Sequence, residues 1–383
     1  MLTNADITAL IDWRHMLHRF PEVSGQERET AARVVAALAP LLPDQVITGL
    51  GGHGVAAVFC AAEPGPTVMF RAELDALPIE ELSTALHRSC VPGTGHLCGH
   101  DGHMTILLGL ARLISRRRPA RGRVVLMFQP AEEDGSGAAA VIADPRYGDI
   151  TPDWAFALHN MPGIALGRAV LAAGTICCAS RGVRIVLTGK TAHAAQPEAG
   201  VSPAPTMAAL MPALVALGAG GAMGDDYQLV TLTHVRLGEP AFGISPAHAE
   251  IWITLRTATD AKMAGLMCAA IALAQSHAAQ AGLMFAYTKH DDFAATVNDP
   301  QATLHLENAL DALALPFDAG DLPVRASEDF GRFGGHAGTR SAMVFLGSGV
   351  DIPKLHNPDY DYPDSLTPPA VRLFHKVMTN LLD

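Results

Sequence analysis

The segment Gly95-His96-Leu97-Cys98-Gly99-His100-Asp101-Gly102-His103 gathers three histidines, a cysteine and an aspartate among glycines, directly before an apolar stretch with helical spacing. Glycines let the backbone take tight or left-handed turns, so several side chains can converge on one point. Cys98 and His100 stand two apart, a spacing wrong for one helix face but suited to a loop feeding a metal ion. A second signal is Val124–Phe128 running into Gln129-Pro130-Ala131-Glu132-Glu133. Two carboxylates held close together repel, and one pKa rises unless a cation intervenes. Metal-assisted hydrolysis uses that pairing, one Glu binding the ion while its neighbour takes a proton from water. His159 follows the strand-like run Trp154–Leu158, and His356 lies in the loop after Ala342–Leu346. Either histidine alone is unremarkable. Together they matter because each candidate follows a strand or precedes a helix, and in open α/β sheets the ligand crevice lies outside the carboxyl ends of the strands.

Two further pieces fit. Glu73 and Asp75 close the strand-like run that contains Phe70, and residues two apart share a strand face, so both are expected to reach the crevice. His193, in Gly189-Lys190-Thr191-Ala192-His193, follows the first strand of a middle region, where a histidine on a lid could polarise a carbonyl. A competing chemistry makes Cys98 a nucleophile with His100 or His103 as base. The surplus of ligand-type residues elsewhere speaks against it.

The elements that must hold these residues follow from hydrophobic spacing. Helices are expected around residues 13–17, 27–42, 103–115 and 136–143, with strands at 55–59, 67–71, 124–128 and 154–158. Such alternation argues for an α/β layer with a largely parallel sheet. The middle changes character: strand 183–188, helix 204–217, strands 229–236 and 250–255, helix 260–281 and strand 284–288 give the β-α-β-β-α-β order of a ferredoxin-like unit. The tail resumes with a helix near 302–313, the strand 342–346 and a final helix 371–382. A compact unit inserted into a split α/β domain is the simplest account, and two domains favour a small-molecule site.

Composition narrows the function. With 383 residues, 49% hydrophobic and 17% charged, the chain can bury a large core, which excludes intrinsic disorder. Its net charge of −11 repels phosphate backbones, so nucleic acid is not an expected partner. The basic run Arg112–Arg123 reads as cations at a helix C-terminus. No stretch suits a membrane span or a secretion signal, and the six cysteines are spaced too irregularly for a disulfide scaffold, so the cytoplasm is the expected compartment. Gly49-Leu50-Gly51-Gly52-His53-Gly54 matches G-x-G-x-x-G literally. A strand follows it rather than a helix, so it is a hairpin turn and not a dinucleotide site.

Further segments support a family resemblance: Arg14-His15-Met16-Leu17-His18 with Pro21-Glu22-Val23-Ser24, Glu73-Leu74-Asp75-Ala76-Leu77-Pro78-Ile79, Cys98 to His103, Phe128 to Glu133, Ala192-His193-Ala194-Ala195, Ser327-Glu328-Asp329-Phe330 and Leu355-His356. In this order, over nearly the whole chain, they resemble the M20-type metallopeptidases of the amidohydrolase branch, which includes hippurate hydrolases, N-acyl-amino-acid amidohydrolases and plant auxin-conjugate hydrolases. The resemblance implies a split catalytic domain (1–179 and 291–383) with a central mixed, mostly parallel sheet, and an inserted α+β ferredoxin-like lid (180–290) used for dimerisation. It implies Cys98, His100, Glu133, His159 and His356 as ligands of one or two divalent ions (Zn, Mn, Co or Ni), and the thiolate favours a softer ion such as Zn²⁺. Glu132 takes the place of the general base, Asp75 that of a supporting or catalytic carboxylate, His193 that of an oxyanion-stabilising lid residue and Arg256 that of a substrate-binding cation. The implied reaction is hydrolysis of an N-acyl amino acid or similar small amide by a homodimer or higher homo-oligomer. A dipeptidase and a non-catalytic metal-binding homologue are the alternatives. The chain departs from the pattern at Glu73, where Ala-Asp-Met-Asp has its first Asp, at Gly243, where Asn is expected, and at Pro197-Glu198, where Pro-His is common.

Overall fold

Strands that are apolar along their whole length need cover on both faces. Val55–Phe59, Val68–Phe70 and Val124–Phe128 are such runs, and all are buried in the computed structural model, which describes residues 1–383. The helices in chain order are α1 (Asn4–Arg19), α2 (Arg28–Leu38), α3 (His100–Arg116), α4 (Gly137–Ala143), α5 (Ala204–Val215), α6 (Asp260–Gln280), α7 (Pro300–Ala312) and α8 (Thr367–Leu382). The strands are β1 (Gln45–Leu50), β2 (Gly54–Cys60), β3 (Glu63–Glu73), β4 (Arg121–Gln129), β5 (Trp154–Pro162), β6 (Ala169–Val170), β7 (Gly174–Cys177), β8 (Ala179–Thr188), β9 (Ala192–His193), β10 (Gln228–Leu237), β11 (Ile244–Ser245), β12 (His248–Thr257), β13 (Met284–Phe293), β14 (Thr296–Asn298), β15 (Phe317–Asp318) and β16 (Arg340–Gly349).

The chain divides into two units. The first comprises Met1–Ile176, Thr296–Leu322 and Glu328–Asp383. Its sheet has the order β1-β2-β4-β3-β5-β16-β6-β15. The four central strands β4, β3, β5 and β16 are parallel, and β1 and β2 add an antiparallel hairpin at one edge. The glycine-rich Gly49–Gly54 segment is the turn of that hairpin, where Thr48 pairs with Val55. Helices α1, α3, α7 and α8 bury Leu10, Leu17, Leu107, Leu110, Leu306, Leu310, Val371 and Phe374 in one core with Phe70, Phe128 and Phe156 of the strands. Helix α3 is almost wholly buried, so the polar residues of its first turn need partners. Those of Asp101 come from α1: Arg14 Nη1 and His18 Nδ1 lie 2.8 and 2.9 Å from Asp101 Oδ2. Against the effect of burial, those two cations hold the Asp101 carboxyl far below the usual carboxylate range. Burial would lower His18, but Asp101 outweighs it and lifts the imidazole to about 10.

The second unit comprises Cys177–Ala295 with Pro323–Ser327. It has the expected β-α-β-β-α-β order, with β10-β12-β8-β13 forming one antiparallel sheet. Alternate residues on the strands (Val183, Ile185 and Leu187; Ile251, Ile253 and Leu255) pack with Leu210 and Leu214 of α5 and Leu266, Met267 and Ala270 of α6. The expected borders were 179/180 and 290/291. The division lies at 176/177 and 295/296 because β13 stays paired with β8 as far as Phe293. Pro323–Ser327 also joins this unit, since Cys178 N–H donates to Val324 O and Ala326 O. None of the six cysteines forms a disulfide, and no helix is long and apolar enough to cross a membrane.

Candidate metal centre

The five expected ligands converge within the first unit. Gly99, at φ +93°, turns the chain into α3, and a Cβ there would run into the Asn160 amide. That turn sends Cys98 and His100 to one side together. Glu132 and Glu133 follow β4 beyond Ala131, which has φ +50°. His159 was expected just after a strand but lies within β5, which runs on to Pro162 beside β16. His356, at φ +66°, donates its backbone N–H to Leu97 O at 2.9 Å, which ties its loop to the Cys98 loop.

Two of the candidate ligand groups share Cys98. Cys98, His100 and His159 offer atoms all within 4.8 Å of one another, as do Cys98, Glu133 and His356. Cys98 Sγ is 3.5 Å from His159 Nε2, and His356 Nε2 is 3.6 Å from Glu133 Oε2. His100 Nε2 lies 3.8 Å from Glu133 Oε1 and 3.9 Å from Glu132 Oε2. The other ring nitrogens are already engaged: His100 Nδ1 is 2.9 Å from Asp75 O, and His159 Nδ1 is 2.8 Å from Asn160 O. Such backbone contacts fix the tautomer and leave each Nε2 to ligate. His100 Nε2 and Glu133 Oε1 are buried with no hydrogen-bond partner, which is how atoms facing a cation stand. Thiolate, imidazole and carboxylate donors together suit a transition ion better than Mg²⁺ or Ca²⁺. The residues fit one or two divalent ions.

Electrostatics agree. Burial first, then the charges of Glu328, Glu133 and Asp329, push the Glu132 carboxyl well above its usual range. Burial lifts Glu133 to about 7 against the pull of His100. Burial, Glu133 and Glu132 raise the Cys98 thiol, so without a cation it is no ready nucleophile, which weakens the thiol chemistry considered above. Burial lowers His159 to about 3, leaving a neutral imidazole able to ligate.

Asp75 lies beyond the end of β3 and is fully buried. Its Oδ2 accepts Ser24 Oγ–H at 2.7 Å and Glu133 N–H at 2.9 Å. Glu73 departs from the expectation that it would face the crevice. It pairs with Arg71, two residues back on the same strand face, and with His103 Nδ1 at 2.6 Å. Sequence reasoning missed Arg71, although a charge inside an apolar strand signals a buried partner. Its fully buried guanidinium also meets Glu328 at 2.8 Å, Asp329 at 2.6 Å and Gln129 at 2.8 Å. Asn160 was missed as well: it bridges His103, the Cys98 carbonyl and Tyr360 Oη. Replacing Arg71 with Met leaves three buried carboxylates without their cation, so unfolding should become easier by about 3–5 kcal/mol. Urea denaturation of R71M measures this, and an unchanged midpoint would refute it.

His193 and Arg256 belong to the second unit. His193 pairs with Ile244 in a two-residue ladder, and the Ala194 N–H donates to Gly243 O, so the Gly243 departure lies beside His193. Arg256 Nη1 donates to Arg325 O and Ser327 Oγ, both at 2.9 Å.

A split α/β unit carrying two ligand groups joined at Cys98, one completed by His100 and His159 and the other by Glu133 and His356, defines a metal-dependent hydrolase. Residues 69–380 match the family model described as Peptidase family M20/M25/M40, and the chain belongs to that family. It is 29% identical over 378 residues to the hippurate hydrolase of Campylobacter jejuni, covering 96% of this chain and 95% of that protein. It is 39% identical over 199 residues to an N-acetyl-L-cysteine deacetylase of Bacillus subtilis, covering 51% of this chain and 46% of that protein. Among solved structures, a Bacillus subtilis protein described as a dinuclear metal binding peptidase from the M20 family aligns with a TM-score of 0.82 at 25% identity, covering 100% of this chain and 99% of that one.

Proposed function

We propose that this protein hydrolyses the amide bond of N-acyl amino acids, giving a carboxylic acid and an amino acid. The observation that carries this reading is Cys98 common to two ligand groups, with Glu132 beside them at His100. The name of the full-length relative, hippurate hydrolase, supports the substrate class. A bound divalent ion would polarise the amide carbonyl and acidify water to a pKa of about 7. Glu132 takes a proton from the attacking water and hands it to the departing nitrogen. The burial that lifts its carboxyl makes its anion the stronger base. Asp75, its side chain fixed by Ser24 and the Glu133 N–H, orients His100 through its backbone carbonyl. On the lid, His193 Nδ1 accepts the Ala195 N–H at 3.0 Å, so the neutral ring carries its proton on Nε2, where it can donate to a developing oxyanion. Arg256, steadied by Ser327, offers its remaining N–H groups to the substrate carboxylate.

Zn²⁺ suits the thiolate, a homodimer through the inserted unit is the assembly, and six cysteines without a disulfide suit the reducing cytoplasm. The test is a panel of N-acetyl and N-benzoyl amino acids with dipeptides, run alongside elemental analysis of the protein. N-acyl amino acids should turn over with a preference among acyl groups. Higher kcat/KM on dipeptides would make it a dipeptidase, and no turnover of any metal-loaded sample would make it a binding protein.

A further inference from the structure

The loop between α1 and α2 reaches the hydrolytic centre without supplying a ligand. Glu27 is fully buried, and its Oε1 accepts two backbone N–H groups, Gly25 at 2.8 Å and Ala131 at 2.7 Å. Ala131 is the residue before Glu132, held at φ +50°, a left-handed conformation that a residue with a Cβ seldom adopts. Next to it, Ser24 Oγ–H donates to the Asp75 oxygen that also receives the Glu133 N–H. A third tie joins the same two stretches: Ala76 N–H donates to Glu22 O at 2.8 Å, and Val23 bridges Ala76. Four residues of one loop, Glu22, Val23, Ser24 and Glu27, therefore grip both the turn that presents Glu132 and Glu133 and the Asp75–Ala76 stretch, whose Asp75 carbonyl holds His100 Nδ1. A carboxylate is costly to bury, and here the cost is offset by two backbone N–H groups that would otherwise lack an acceptor.

We infer that Glu27 is a positioning residue for amide hydrolysis: by accepting the Ala131 N–H it fixes the left-handed turn that aims Glu132, with Ser24 doing the same for Asp75. The inference rests on the function proposed above. Its geometry makes a specific demand, an oxygen acceptor at the reach of a glutamyl side chain and not a charge as such. Asp keeps the charge but falls one methylene short, whereas Gln keeps the reach and loses the charge. A misplacement of about 1 Å in a catalytic group can cost about 10²-fold in rate.

The experiment compares E27D, E27Q and S24A in the full-length metal-loaded enzyme. The readouts are kcat, KM, bound metal, thermal midpoint and the absorption spectrum of the Co²⁺-substituted protein. E27D should lose kcat by about 10- to 100-fold with KM, metal content and thermal midpoint unchanged, while its Co²⁺ spectrum shifts because Glu133 moves with the turn. E27Q should recover kcat to within about threefold of the natural enzyme and restore the spectrum. Retention by E27D with loss in E27Q would overturn the idea, as would kcat falling only in step with metal content and thermal midpoint. If E27D does not fold, S24A decides: a drop of about tenfold in kcat at constant KM and metal content supports the loop's role, and natural activity refutes it. If the natural enzyme turns over no N-acyl amino acid, the functional reading fails. The Co²⁺ spectra of E27D and E27Q still settle whether Glu27 fixes the turn.

Discussion

Replacing Glu132 with Gln should lower kcat by about 10²- to 10⁴-fold, the usual worth of a positioned general base, while bound metal, KM and fold persist. The separation follows from the geometry. Glu132 is in neither of the two groups built on Cys98, although with His100 and Glu133 it forms a further group and its Oε2 comes within 3.9 Å of His100 Nε2. An amide in its place keeps the shape but cannot accept a proton from water. Its neighbours argue for more than passive placement. Glu328 and Asp329 each offer an oxygen within 4.8 Å of a Glu132 oxygen, and Arg71 binds both of them. Like charges behind Glu132 raise its proton affinity, and Arg71 tempers the effect. Steady-state kinetics with elemental analysis of E132Q decides the matter. Natural turnover in a metal-replete E132Q would remove Glu132 from the mechanism and pass the proton to Glu133 or His193.

The Cys98–His103 loop and the Glu132-Glu133 pair were legible because local chemistry announces them, whereas the full set of five ligands rested on the family resemblance. A glycine-rich loop and two adjacent carboxylates after an apolar strand can be read within a few residues, and the apolar runs of β2, β3 and β4 needed only their hydrophobicity to be assigned as strands. What escaped was set by contacts between residues far apart in the chain. Nothing near Arg71 shows that Glu328 and Asp329, 257 and 258 residues away, will meet it. Without Arg71 in view, Glu73 appears to share the site with Asp75, when the strand ends between them and Glu73 turns inward. Glu27 is one more acidic residue near a helix start until Ala131, 104 residues on, is seen to donate to it. The short β-α-β-β-α-β unit was readable from its spacing, but Pro323–Ser327 joins it through backbone hydrogen bonds that side-chain pattern does not encode.

Replacing Cys98 with Ala should abolish activity and strip the protein of its metal, whereas replacing His356 should spare one group. The reasoning is positional. Cys98 is the member common to the Cys98–His100–His159 and Cys98–Glu133–His356 groups, so one substitution cuts both to two donors. Residues that only buttress ligands are worth about 10- to 100-fold in metal affinity, and a shared ligand should exceed that. In the H356A protein, Cys98, His100 and His159 stay together, so the metal-to-protein ratio should fall to about half that of the natural enzyme if both groups load. Proton counting gives an independent readout. Burial and the neighbouring glutamates keep Cys98 a thiol and lift the Glu132 and Glu133 carboxyls when no cation is near, so loading at pH 7 must displace protons. Calorimetric titration with Zn²⁺ in buffers of different ionisation enthalpy should show that release in the natural protein and less of it in C98A. Metal content and proton release in C98A equal to those of the natural protein would mean that Cys98 is not a ligand and that the two groups are not joined through it.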